Sequence, residues 1–162
     1  MLLVVLLLSF GFAQTQTTPL LQPGKSWFGI KTGYINSSYP FGFSVHFGVQ
    51  NPNSFDLRVS GSLQRRSENT ALGFGVDALR PFTQSFPLSV YGGAGGQIFF
   101  ENSSFLFDLH GIIGTEYRLA NADLEELGLF IEIHIGAALA TGEIPQPSIP
   151  VASVLVGVNI YF

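Results

Sequence analysis

Three histidines and a scatter of carboxylates are the residues of this sequence best equipped for chemistry. His46, His110 and His134 could ligate a metal or pass a proton. They lie on separate segments with no ligand spacing between them, so they read as hydrogen-bonded histidines rather than as a metal site. The run Gly92-Gly93-Ala94-Gly95-Gly96 could let a backbone approach a phosphate. It lacks the Lys-Ser/Thr pair and the following helix that a phosphate-cradling loop needs. Ser85, Ser103 and Ser104 are lone hydroxyls with no base at a telling spacing. There is no cysteine, hence no disulfide, no thiolate nucleophile and no Cys-type zinc site. No catalytic residue, metal or cofactor is therefore expected, and the chain is not read as an enzyme.

The elements that must position these groups are strands. Apolar and small or polar residues alternate with period two along most of the chain, which gives each strand two chemically different faces. Phe41, Phe43, Val45, Phe47 and Val49 alternate with Gly42, Ser44, His46, Gly48 and Gln50. Seven further segments follow the same rule, from Phe28–Tyr34 at the start to Val154–Phe162 at the end. Turn signals separate them at Asn36–Pro40, Asn51–Ser54, Arg65–Thr70, Arg80–Pro87, Glu101–Ser104, Ala120–Glu126 and Thr141–Pro150. Asn121 followed by Asp123, Glu125 and Glu126 carries an N-cap and early acidic residues, the pattern of one helical turn. Eight strands, an even number, fit an antiparallel barrel with both ends on one side.

Composition decides how such a sheet closes. Charged residues are 11% of the 162, against about 25% in an average soluble domain. The net charge of −4 and the scarcity of Lys and Arg exclude nucleic acid as a partner. A soluble lipocalin-like barrel would turn the apolar faces inward, and a membrane barrel would turn them outward. The polar faces carry too few charges for a water-covered sheet, whereas the apolar faces carry almost none. The expected fold is all-β, an eight-stranded antiparallel up-and-down transmembrane barrel, with the soluble lipocalin-like lipid-binding barrel as the alternative. Closure would satisfy every backbone donor and acceptor within hydrocarbon.

The lumen of such a barrel would hold Lys31, Arg58 and Arg118 with Asp56, Asp77, Asp108, Glu116 and Glu132, together with all three histidines. Charges in a low-dielectric interior must pair or stay hydrated, so these eleven residues are expected to form a structural polar network. Phe99, Phe130, Tyr91 and Tyr161 would share the space and block conduction.

Domain organisation follows from the first residues. Met1–Ala13 is an apolar run too short to cross a membrane as a helix and the right length for a secretory signal peptide. Gly11 and Ala13 provide small residues for cleavage before Gln14, although no Lys or Arg precedes the run. Residues 14–25 form a polar tail, and 26–162 the barrel.

The last strand carries a more specific pattern, Leu155-x-Gly157-x-x-Ile160-x-Phe162. It resembles the C-terminal β-signal of bacterial outer-membrane barrel proteins at Gly157, Ile160 and Phe162, and departs from it at Leu155, where a polar residue is preferred. The plan from Ser26 to Phe162 is similar to the small eight-stranded OmpA-like and OmpX-like barrels. This resemblance implies residence in the bacterial outer membrane after export, with outer-membrane lipids and the barrel assembly machinery as partners, and a monomer. It also implies termini on the periplasmic side. The implied role is structural or surface-interacting. Some barrels of this size deacylate or acylate lipid A, and a lipid-modifying enzyme is the alternative. The deacylases use a His-x-Ser pair, which is missing after His46, His110 and His134.

Overall fold

The computed structural model describes residues 26–34, 41–51, 54–66, 69–119, 124–144 and 150–162. The expected signal peptide, polar tail and Asn36–Pro40 turn lie outside these residues. Eight strands follow one another: β1 (Ser26–Tyr34), β2 (Phe41–Val49), β3 (Asp56–Arg66), β4 (Asn69–Ser85), β5 (Leu88–Glu101), β6 (Ser104–Leu119), β7 (Leu124–Ala140) and β8 (Val151–Tyr161). Each pairs antiparallel with the next, and β1 pairs with β8 to close the barrel. The paired row Ser26, Val49, Leu57, Ala78, Ala94, Gly111, Ile135, Ala152 runs once round the wall. Ala152 is two residues before Val154, the partner of Tyr34, so the sheet closes with an offset of ten residues. Strands in such a barrel are inclined by about 40° to its axis.

The alternation expected from the sequence appears as alternating burial. In β2, positions 41, 43, 45, 47 and 49 are exposed and 42, 44, 46 and 48 are buried. β6 behaves alike, with Phe105, Phe107, Leu109 and Ile113 outward and Leu106, Asp108, His110 and Ile112 inward. The molecule is thus inverted relative to a water-soluble protein. Ile113 is 64% exposed and Phe74 62%, while Glu132 is fully buried. This orientation overturns the lipocalin-like alternative, which required the apolar faces inside.

Two turns differ from expectation. The stretch Arg80–Pro87 is mostly strand: β4 runs through Ser85 and turns at Phe86-Pro87. Pro81 is accommodated by a β-bulge between Pro81 and Thr83, where a missing ladder donor costs little. Leu124–Glu126 opens β7 rather than a helical turn, with a register irregularity opposite Arg118/Leu119. Strand pairing along a closed wall outweighs a weak capping signal there. Residues 121–123 lie outside the described part. At the opposite end, Asn102 takes a left-handed conformation (φ 52°) in a two-residue hairpin with Ser103, a geometry asparagine tolerates.

Candidate functional site

The lumen is filled by three layers of side chains. The central layer is an ion network. Arg58 of β3 places Nε 2.8 Å from Asp77 Oδ2 on the adjacent β4 and Nη1 2.5 Å from Glu132 Oε1 on β7, across the lumen. Lys31 of β1 stands 3.6 Å from Glu132 Oε2, and Tyr91 donates its hydroxyl to Glu132 Oε1 at 2.8 Å. His134 Nε2 donates to Glu132 Oε2 at 3.0 Å. Glu132 therefore gathers two cations, a phenol and an imidazole around one buried carboxylate. Such a group is tolerable only because its oxygens are satisfied.

His110 extends the network. Its Nδ1 lies 2.9 Å from Asp108 Oδ2 and its Nε2 3.3 Å from Asp77 Oδ1, and only a ring protonated on both nitrogens can donate to both carboxylates. Its ring stacks on His134 with centroids 4.5 Å apart. His46 lies elsewhere, edge-on to Phe130 at 5.7 Å. Among the described residues no three groups gather as ligands around one point.

A second cluster occupies the end that carries Ser26 and Phe162. Glu116 accepts from Arg118 Nε (2.8 Å), from the Tyr161 hydroxyl (2.8 Å) and from Asn159 Nδ2 (2.5 Å). Asn159 Oδ1 in turn accepts from His46 Nε2 at 2.7 Å, which fixes the proton on that nitrogen. The Arg118 guanidinium lies over the Tyr161 ring, 3.1 Å from its centroid, and Trp27 stacks on the same tyrosine at 5.9 Å. A cavity of about 50 Å³ opens beside this cluster, bordered by Trp27, Gln50, Tyr91 and Pro87, with room for little more than water. The third layer is apolar. Ala71, Phe99, Leu106, Ala138, Ala140, Ile144 and Val151 pack together at the end of the 102–103 and 142–143 turns.

Of the eleven residues expected in the lumen network, ten are buried inside it. They divide between the two polar clusters, with Lys31, Arg58, Asp77, Asp108, Glu132, His110 and His134 in one and Glu116, Arg118 and His46 in the other. Asp56 stands apart. It is half-buried at the β2–β3 turn and accepts the Asn51 backbone N–H at 2.9 Å, which is a turn-closing role. Beyond the residues the sequence singles out for this network, Asn159 links His46 to Glu116, and Tyr91 and Tyr161, expected as obstructions, also act as donors. Their inward alternation was the available signal.

Glycines opposite the bulky groups make this filling possible. A Cβ at Gly114 would stand 2.5 Å from Tyr91 Cζ, one at Gly128 2.7 Å from the Glu116 carboxylate, and one at Gly48 inside the Trp27 ring. Gly157, Ile160 and Phe162 of the C-terminal pattern occupy the closing strand. Gly157 faces inward against Phe130, and Ile160 and Phe162 face outward, with Phe162 at 6.3 Å from the ring of Phe47.

No family model matches the chain, and no curated protein is similar to it in sequence. Solved structures do share its fold. One is Neisserial surface protein A, at a TM-score of 0.61 and 14% identity over 86% of this chain and 97% of that one. Another is the N-terminal β-barrel domain of Pseudomonas aeruginosa OprF, at 0.62 and 12% over 87% and 98%. The fold is that of the small eight-stranded outer-membrane barrels.

Proposed function

We propose that the chain is an integral outer-membrane protein with a closed lumen and a structural or surface-interaction role, exported by a cleaved signal at Met1–Ala13. The observation that carries this reading is the inversion of the barrel. Exposed Phe, Ile, Leu and Val from all eight strands face outward round the wall, and the charges pair inside it. Water would leave that belt uncovered, whereas hydrocarbon needs no further partner. The two neighbouring structures support the location through their fold alone.

The filled interior supports a plug rather than a channel. Phe99, Leu106 and Ile144 close one end, and the Arg58–Glu132 bridge spans the middle. An enzymatic reading finds little support in the hydroxyls. Ser85 and Ser103 are exposed in or beside turns, and the Ser104 hydroxyl accepts the Glu143 N–H at 3.0 Å. All three histidines are engaged with other partners. Gly157, Ile160 and Phe162 are proposed as the signal read by the barrel assembly machinery.

The test is fractionation of cells with gel migration of unheated and heated samples, followed by planar-bilayer recording. Recovery in the outer membrane, a compact unheated band and no ion steps above baseline are expected. Free periplasmic protein would overturn the location, and well-defined steps would overturn the plug.

A further inference from the structure

The outer wall contains one arrangement that a uniform lipid-facing surface does not require. In its regularly paired part, the described outward side chains carry two formal charges, Arg65 beside the last β3–β4 pair, Arg66 with Asn69, and Arg80 toward the end with Ser26 and Phe162. Arg80 is exposed. Its guanidinium lies 5.9 Å from the centroid of Phe55, and among the described residues no carboxylate pairs with it. An unpaired guanidinium at the margin of hydrocarbon calls for an anion, and the fork of an arginine matches a phosphate.

Above Arg80 the wall is hollow. Along the β4–β5 seam the outward pairs run Arg80/Gly92, Ala78/Ala94, Val76/Gly96 and Phe74/Ile98. Ala78, Ala94 and Gly111 lie side by side on three strands, so the floor is made of methyls and hydrogens. It is walled by exposed Leu57 on β3 and by Leu109 and Ile113 on β6. Beyond Gly96 it continues as a groove between Val59, Phe74 and Val76 on one side and Ile98 and Phe107 on the other. The six residue steps from Arg80 to Phe74 span about 20 Å, enough to hold a chain crossing one leaflet of about 15 Å. At the foot, the bulge after Pro81 turns Phe82 so that its ring covers Gly92, where a Cβ would stand 2.6 Å from Phe82 Cζ.

We propose that this seam binds one phospholipid, its phosphate held by Arg80 and one acyl chain laid along Ala78, Ala94 and Gly96. The proposal rests on the membrane reading above and adds a specific lipid position to it. Charge complementarity selects a phospholipid over a second copy of the chain, since a two-fold contact on this face would bring two unpaired Arg80 side chains toward one another.

Native mass spectrometry of the full chain in detergent, titrated with phosphatidylglycerol, tests it. One saturable lipid adduct is expected, with diacylglycerol of the same chains and glycerophosphate each binding far more weakly. Arg80→Gln should weaken the phosphatidylglycerol adduct roughly ten-fold, as expected for loss of a charge-assisted contact. Ala94→Leu should weaken it by filling the floor, and Arg65→Gln should leave it unchanged. Equal binding by Arg80→Gln, equal binding of diacylglycerol, or a dimer in place of the adduct would overturn the proposal. Each variant is first run unheated on a gel. A wild-type chain without a compact band would defeat the membrane reading itself, which separates that failure from this one.

Discussion

At the scale of single residues, the lumen is organised around Glu132. Its carboxylate answers Lys31, Arg58, Tyr91 and His134 at once. Glu132→Ala would leave two buried cations without their counter-charge, and breaking a buried pair from one side costs about 3–5 kcal/mol. The expected outcome is a barrel that unfolds at distinctly lower urea than wild type, followed by loss of the compact band on unheated gels. Glu132→Gln, which keeps two polar atoms in place, should fall between the two. Equal urea midpoints for all three proteins would show that the network carries no stability. The inward direction of Glu132 was legible from Ile131 and Ile133 on either side of it. Its partners were not, because Arg58 lies 74 residues away and meets it only across the closed lumen.

At the scale of strands, alternation governs what the wall tolerates. Ile133 is outward and 47% exposed in the middle of β7. Ile133→Arg would place a charge in hydrocarbon at a cost of about 2–4 kcal/mol near the midplane. Membrane insertion should fail, as seen by fractionation, whereas normal assembly would contradict the outward assignment of that face. Removal of Phe162 should act differently. It removes only the backbone bridge between Phe162 and Ser26 and leaves the rest of the pairing of β8 with β7 and β1 in place, so the purified chain should still refold in detergent while surface yield in cells falls. Unchanged yield would count against the assembly-signal reading. Strand faces were legible in the sequence because a period of two needs only local information. Strand ends were less so: Pro81 looked like a loop residue and the acidic run at Glu125 and Glu126 like a helix start. Pro81 is absorbed by a bulge in β4 opposite β5, and Leu124 is drawn into the wall by its pairing with Leu119 of β6, neither of which the local pattern shows.

For the whole molecule, closure is the decisive step, since it joins the first and last strands, β1 and β8. Gly157 sits at that seam, and a Cβ there would press on the Ile30 carbonyl and stand 2.5 Å from Phe130 Cζ. Gly157→Val should therefore prevent closure even in purified, machinery-free refolding, with no compact band in detergent micelles. Refolding as efficient as wild type would mean that Phe130 can move aside and that the glycine serves recognition alone. The sequence by itself determined the strand count, the two faces and the identity of the groups turned inward, because hydrophobic alternation and turn residues act over a few neighbours. Only the tertiary structure decided which charges pair, that Asp56 closes a turn instead of joining them, that apolar side chains seal one end, and that Arg80 stands at the foot of a hollow in the wall. The Asp56 contact and the hollow beside Arg80 rest on turn geometry and on the register of neighbouring strands, while the cross-lumen pairs depend on the sheet closing on itself, which brings together residues that no local pattern connects.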